Sequence, residues 1–143
     1  GQNQQFLDEH EKESAGPWIQ LDRMFRRPEP VTIGGKKFRK GIATLEHVEV
    51  EIDLAAGFSR FTATVGLTED ARPTTTATDP CLQFIVKGDG KELWKSEWLK
   101  FDSAPQPVAL SVKGVKTLTL VVDFQPFNEW LAYGGWGDAR VVK

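Results

Sequence analysis

Along residues 48–54 apolar and charged positions alternate without a break. Val48, Val50, Ile52 and Leu54 fall on one side, Glu49, Glu51 and Asp53 on the other. A repeat of two is the period of an extended strand, whose successive side chains point to opposite faces. The stretch therefore predicts a strand with one face buried and one wet. After an Ala-Ala-Gly turn, Phe61, Ala63, Val65 and Leu67 continue an inward face while Arg60, Thr62 and Thr64 point outward. The two strands are expected to pair through this tight connection, with Arg60 and the threonines as cross-strand neighbours of the acidic row.

The same period recurs along most of the chain. Residues 17–24 (PWIQLDRM) alternate, and Gly34-Gly35 divides residues 31–42 into a hairpin. Residues 81–99 read as strand, turn at Gly88-Asp89-Gly90, and strand. Residues 107–114 and 116–124 are two more alternating strands meeting near Gly114, and residues 136–142 form a last one. Residues 69–80 and 125–135 show no period and are expected to be surface loops, the second rich in aromatics. Nine or ten short strands with Gly and Pro turns, and no amphipathic helix of any length, predict an all-β protein with a two-sheet β-sandwich. Residues 1–15 are polar with few apolar anchors. They are expected to be a flexible lead-in, with at most a short helical stretch, ahead of a single domain over 16–143.

Composition narrows the partners. A chain of 143 residues suits one domain and buries about 68% of its unfolded surface. With 18 basic and 20 acidic residues the net charge is −2, which gives no electrostatic pull toward nucleic acid or anionic membrane. No apolar run approaches the ~20 residues of a membrane span. Neither nucleic acid nor membrane is an expected partner. The lone Cys81 cannot form an internal disulfide and has no Cys or His at metal-ligand spacing. No signal peptide is visible; Gly1 looks like a protease scar, which leaves room for a signal trimmed away ahead of it.

Enzyme chemistry finds little footing. Glu49 and Glu51 lie about 6.6 Å apart along a strand, near the roughly 6.5–9.5 Å used by inverting glycosidases. Any strand with carboxylates two apart gives this spacing, and an open face lacks the desolvation that would split two carboxyl pKa values. The row is read as facing water; a small hydrolase built on it is the least favoured alternative. His10 and His47 are the only histidines, and neither sits in a nucleophile or zinc signature. The glycines of IGGK and KGDGK belong to turns, since no helix follows to make a phosphate cradle.

Aromatics carry more. Of Trp18, Trp94, Trp98, Trp130 and Trp136, Trp94 and Trp136 fall at core positions of strands. Trp130 and Tyr133 share a loop with Asn128 and Glu129. An aromatic plane beside an amide and a carboxylate suits a sugar, which offers a C–H face and hydroxyls. The plainer alternative is a lid packed on the end of the sandwich.

The whole pattern resembles the NPCBM family of carbohydrate-binding modules attached to glycoside hydrolases. Lys40-Gly41-Ile42, Leu54, Phe61 and Val65-Gly66 follow its "kGigtHa … ydL … G.ys.F.a.vGvD" order. Phe84, Asp89-Gly90-Lys91, Leu93 and Ser96 match its "F.v..DGk.l..S" hairpin, and WGDARV resembles its "WadA.l" ending. The likeness runs from about residue 17 to 142. It implies a jelly-roll, galactose-binding-domain-like sandwich without catalysis, a glycan ligand such as a galactose-containing one, and an attached or partner glycoside hydrolase. It also implies a secreted, periplasmic or cell-surface setting. Family members often hold a structural calcium ion, but the His of "gtHa" is Leu45 here, the Asp of "vGvD" is Thr68, and Tyr133-Gly134-Gly135-Trp136 lacks the His and Asp before the last Trp. Neither pocket nor calcium site carries over residue by residue, so no metal ligand is assigned. The expected sugar site is Asn128, Glu129, Trp130 and Tyr133, helped by Asp70 or Arg72. A structural or protein-interaction sandwich with a decayed sugar site is the alternative.

Overall fold

The computed structural model describes residues 4–7, 19–26, 29–45, 47–54, 57–72, 81–125 and 133–143. Among them lie twelve strands: β1 (Gln4–Phe6), β2 (Ile19–Leu21), β3 (Val31–Ile33), β4 (Lys36–Phe38), β5 (Gly41–Thr44), β6 (Val48–Asp53), β7 (Arg60–Leu67), β8 (Cys81–Gly88), β9 (Lys91–Lys95), β10 (Gln106–Ser111), β11 (Thr117–Gln125) and β12 (Gly134–Val142). One sheet has the order β10-β7-β12-β5-β2, with β1 added against β12; the second has the order β6-β11-β8-β9. Every pairing is antiparallel. The two sheets face each other as the expected sandwich. No helix among the described residues is long and apolar enough to cross a membrane.

The period-two pattern becomes burial directly. Val48, Val50 and Ile52 are buried while Glu49, Glu51 and Asp53 are exposed. Their inward side chains join Phe61, Val65, Leu82, Phe84, Leu118, Leu120 and Trp136 in one core. Trp136 sits at its centre, its ring 5.3 Å from Phe84 edge-on and 6.4 Å from Phe61. Trp94 is half-buried against the same core. Two turns follow the sequence closely: Gly34-Gly35 joins β3 to β4 and Asp89-Gly90 joins β8 to β9. All four residues have positive φ, the backbone of a tight hairpin turn.

Three expectations change. First, β6 and β7 do not pair: β6 lies against β11 in one sheet, and β7 between β10 and β12 in the other. Leu54 after β6 and Phe58 before β7 are both buried. Two strands that each bury one face satisfy the same pattern whether they are neighbours or face each other across the core. Second, residues 4–7 of the expected lead-in belong to the fold. Gln4–Phe6 pair with Arg140–Val142, and Leu7 is fully buried; residues 8–15 lie outside the described residues. Third, the 69–80 loop begins with a 3-10 turn over Glu69–Ala71 that buries Asp70.

The pairing of β1 depends on an irregularity in β12. Gly134–Gly137 pair with β5, then the register shifts between Gly137 and Arg140. Asp138 takes φ 50 there and its N–H bonds Lys40 O at 2.9 Å. Beyond the bulge β12 leaves β5 and accepts β1 on the same side. A second small core lies outside this sheet. Val31, Ile33 and Phe38 of the β3–β4 hairpin pack with Ala43 over Gly66, Gly135 and Gly137. A Cβ at any of these three glycines would lie within 2.6–2.7 Å of a neighbouring side chain. The sheet is bare at these positions because the hairpin rests on its backbone.

Candidate functional site

The strand ends that flank the two expected site loops lie at one end of the sandwich. Gly134 pairs with both Leu67 and Thr44, so β7 ends where β12 begins. Gln125 at the end of β11 pairs with Cys81 at the start of β8. A Cβ on Gly134 would touch Phe84 and Leu82 at 3.2 and 3.3 Å, which brings this end of both sheets together. Asn128, Glu129 and Trp130 lie outside the described residues, as do residues 73–80.

The described members of the expected site separate into support and surface. Tyr133 is only 8% exposed. Its ring lies 6.2 Å from Phe25, tilted at 49°, and its carbonyl accepts the Thr68 N–H at 3.2 Å. Asp70 is 1% exposed. Its carboxylate accepts the backbone N–H of Phe25 at 2.7 Å and of Arg26 at 3.2 and 3.3 Å. Both groups thus fasten Phe25, and Asp70 also Arg26, beside the ends of β7 and β12. Arg72 is exposed; it pairs with Glu69 and lies 5.1 Å over the Phe101 ring. Of these three it alone is exposed to solvent.

The calcium ion that the resemblance leaves open has no cage of three or more His, Cys, Asp or Glu among the described residues. Calcium takes six to eight oxygen ligands. Thr68 is buried where the family pattern has Asp, both oxygens of Asp70 already accept amide donors, and no cluster of three or more His, Cys, Asp or Glu is present there. Among the described residues, then, Thr68 and Asp70 do not make a calcium cage.

Burial raises the Tyr133 phenol above its ordinary value of 10.0; the Arg26 charge opposes this and the Asp70 charge adds to it. Tyr133 is the chain's single tyrosine, so ultraviolet phenolate absorbance reports it alone. Its midpoint in the folded protein should exceed that in denaturant. The sign for stability follows: the raised value favours the neutral phenol, so this contribution is whole below pH 10.0 and is lost as pH rises through the folded midpoint. Equal midpoints in the folded and unfolded chain would contradict the burial.

Glu49 and Glu51 stand exposed on edge strand β6, opposite Val121 and Thr119. His47 bonds Asp123 at 2.6 Å through Nδ1; His10 lies outside the described residues. Trp98 is a residue the sequence left unassigned. It is 41% exposed and adjoins Leu99, which is buried in the core. Alternation beside Leu99 is the signal that would have placed it outward. A cleft of about 540 Å³ opens at the other end of the sandwich, between Leu54, Phe58, Gly114 and Val115, away from the loops.

The family model of the NPCBM/NEW2 domain matches residues 3–142. A protein of Renibacterium salmoninarum named as an endo-alpha-N-acetylgalactosaminidase is 26% identical over 113 residues, 79% of this chain and 7% of that protein. The chain therefore spans a small part of that relative. A CBM51 from Clostridium perfringens GH95, solved with methyl-galactose, superposes with a TM-score of 0.80 at 24% identity, covering 97% of this chain and 99% of that one. Tandem CBM51 modules of a family 98 glycoside hydrolase from Streptococcus pneumoniae give 0.79 at 20%, covering 99% and 47%. The second CBM51 of Clostridium perfringens ZmpB, solved with GlcNAc, gives 0.76 at 21%, covering 90% and 28%. At these identities the likeness establishes the fold.

Proposed function

The chain belongs to the NPCBM/NEW2 family of carbohydrate-binding modules, and from that membership we propose that it is a non-catalytic module holding an attached or partner glycoside hydrolase on its glycan. The observation that carries the reading is the family match across 3–142. Its structural neighbours were solved with methyl-galactose and with GlcNAc, and one belongs to a glycoside hydrolase. Galactose-containing or N-acetylhexosamine-containing glycans are the substrate class to try first. Tethering raises the enzyme's effective concentration on the glycan without new chemistry. A small sugar makes few contacts and its hydroxyls lose hydration on binding, so affinity should be modest. A role beside glycan-cleaving enzymes suits a secreted, periplasmic or cell-surface protein.

The loop with Asn128, Glu129 and Trp130 remains the proposed sugar contact. In this reading Arg72 adds a polar contact, while the buried Tyr133 and Asp70 hold the chain where the two loops leave the sandwich. Methyl-galactoside and GlcNAc titrations, read by calorimetry, test this. The parent should bind at least one, and Trp130→Ala should weaken it roughly tenfold, about 1.4 kcal/mol. A Trp130→Ala variant that binds like the parent would remove the loop from the site. The rival reading is a protein-interaction sandwich whose sugar site has decayed, favoured by Leu45 and Thr68 at the family's His and Asp positions. A folded parent that binds no sugar would select it.

A further inference from the structure

The outer face of the four-stranded sheet carries a row of four side chains from edge to edge. Asp123 pairs with Gln83 and Val122 with Val48, which sets His47 beside Asp123. The antiparallel bridge of Leu82 to Leu99 sets Trp98 beside Gln83. The row therefore reads His47, Asp123, Gln83, Trp98. Their chain neighbours Val48, Val122, Leu82 and Leu99 are all buried in the core, so the four face outward. With strands about 4.8 Å apart, the row is about 14 Å long.

Its groups are held in place and still have capacity. His47 Nδ1 meets Asp123 Oδ1 at 2.6 Å, and Gln83 Nε2 donates to Ser96 O at 2.9 Å. Asp123 meets His47 through Oδ1 and Gln83 bonds Ser96 through Nε2, so Asp123 Oδ2 and Gln83 Oε1 offer lone pairs to further donors. The His47 and Asp123 side chains are 50% and 40% exposed, and Trp98 is 41% exposed. An indole plane at one end followed by an amide, a carboxylate and an imidazole matches a chain of sugars, which presents a C–H face and then hydroxyls. The row suits a protein partner poorly. A stable interface needs about 800 Å² from each side, and the apolar residues next along, Ile85 and Val121, are already 9% and 3% exposed.

We propose that this row is a second glycan-binding strip, for an extended oligosaccharide, separate from the loop at 128–130. Trp98 stacks on one sugar ring while Gln83 and Asp123 bond hydroxyls of the following units. The proposal rests on the carbohydrate-binding reading. Calorimetric titration of the whole domain with a monosaccharide and with a tetrasaccharide of the same sugar tests it. Trp98→Ala should lower tetrasaccharide affinity roughly tenfold and leave monosaccharide affinity within about twofold. Trp98→Phe, which keeps a ring, should restore most of the loss. Trp130→Ala is the control for the loop and should weaken the monosaccharide. Unchanged tetrasaccharide binding by Trp98→Ala, with Trp130→Ala impaired, overturns the strip and spares the module. A parent that binds neither sugar overturns both.

Discussion

Trp136→Ala should be the most damaging single change in the chain, costing about 3–5 kcal/mol. Whole domains of this size hold only about 5–15 kcal/mol, so the variant should unfold at much lower urea. The indole is fully buried between Phe61 and Phe84, and it belongs to the strand that joins β5, β7 and β1 into one sheet. Removing it leaves a cavity with close-packed walls that collapse only in part. Trp136→Phe should cost clearly less. Nε1 has no hydrogen-bond partner among the described residues, so phenylalanine loses volume but no bond, and it leaves no buried donor unsatisfied. Urea midpoints at constant slope measure both. Equal losses for Ala and Phe would mean that the indole N–H, rather than ring packing, holds this site.

Gly137→Ala should destabilise by about 1–3 kcal/mol, although it adds one methyl group. Its φ is not in the left-handed region, so space alone decides. The new Cβ would lie 2.6–2.7 Å from Cγ, Cδ1 and Cδ2 of Phe38. That ring is 2% exposed and is held by the hairpin in the small outer core with Val31 and Ile33. It has no flexible end to swing away. Phe38→Ala alone should cost about 3–5 kcal/mol through the cavity it opens. In the double variant the methyl enters that cavity, so the combined loss should fall short of the sum by about 0.5–3 kcal/mol. Strictly additive losses would place Phe38 away from Gly137 and refute the packing of the hairpin on the sheet.

What the sequence made legible was local. The β6 alternation and the two hairpin turns depend on neighbours within a few residues, and Val48 to Asp53 and Gly34-Gly35 appear where the pattern put them. The partner of β6 was not legible, because burial of one face says nothing of which strand lies alongside. Strand β1 was hidden for a related reason. Gln4 and Gln5 are polar, and their pairing exists only because β12 bulges at Asp138 and frees an edge. Asp70 looked like a free loop carboxylate, yet its partners are amides 44 and 45 residues away in the chain. Trp98 could not be told from Trp94 by composition. Alternation beside Leu99 held the signal, and the bridge of Leu99 to Leu82 makes it definite that the Trp98 ring faces out while Trp94 packs in. The resemblance to a binding family drew on spaced framework residues, which are the part of the chain that folding constrains.

The most direct test of a module that holds glycans without cleaving them is one array experiment. The labelled domain is applied to immobilised galactose- and N-acetylhexosamine-containing glycans, and the wash is assayed for newly released reducing ends. Retention on a subset of spots with no released sugar is the expected result. No retention anywhere, or release of sugar that stops when Glu49 and Glu51 are changed to glutamine, would contradict it.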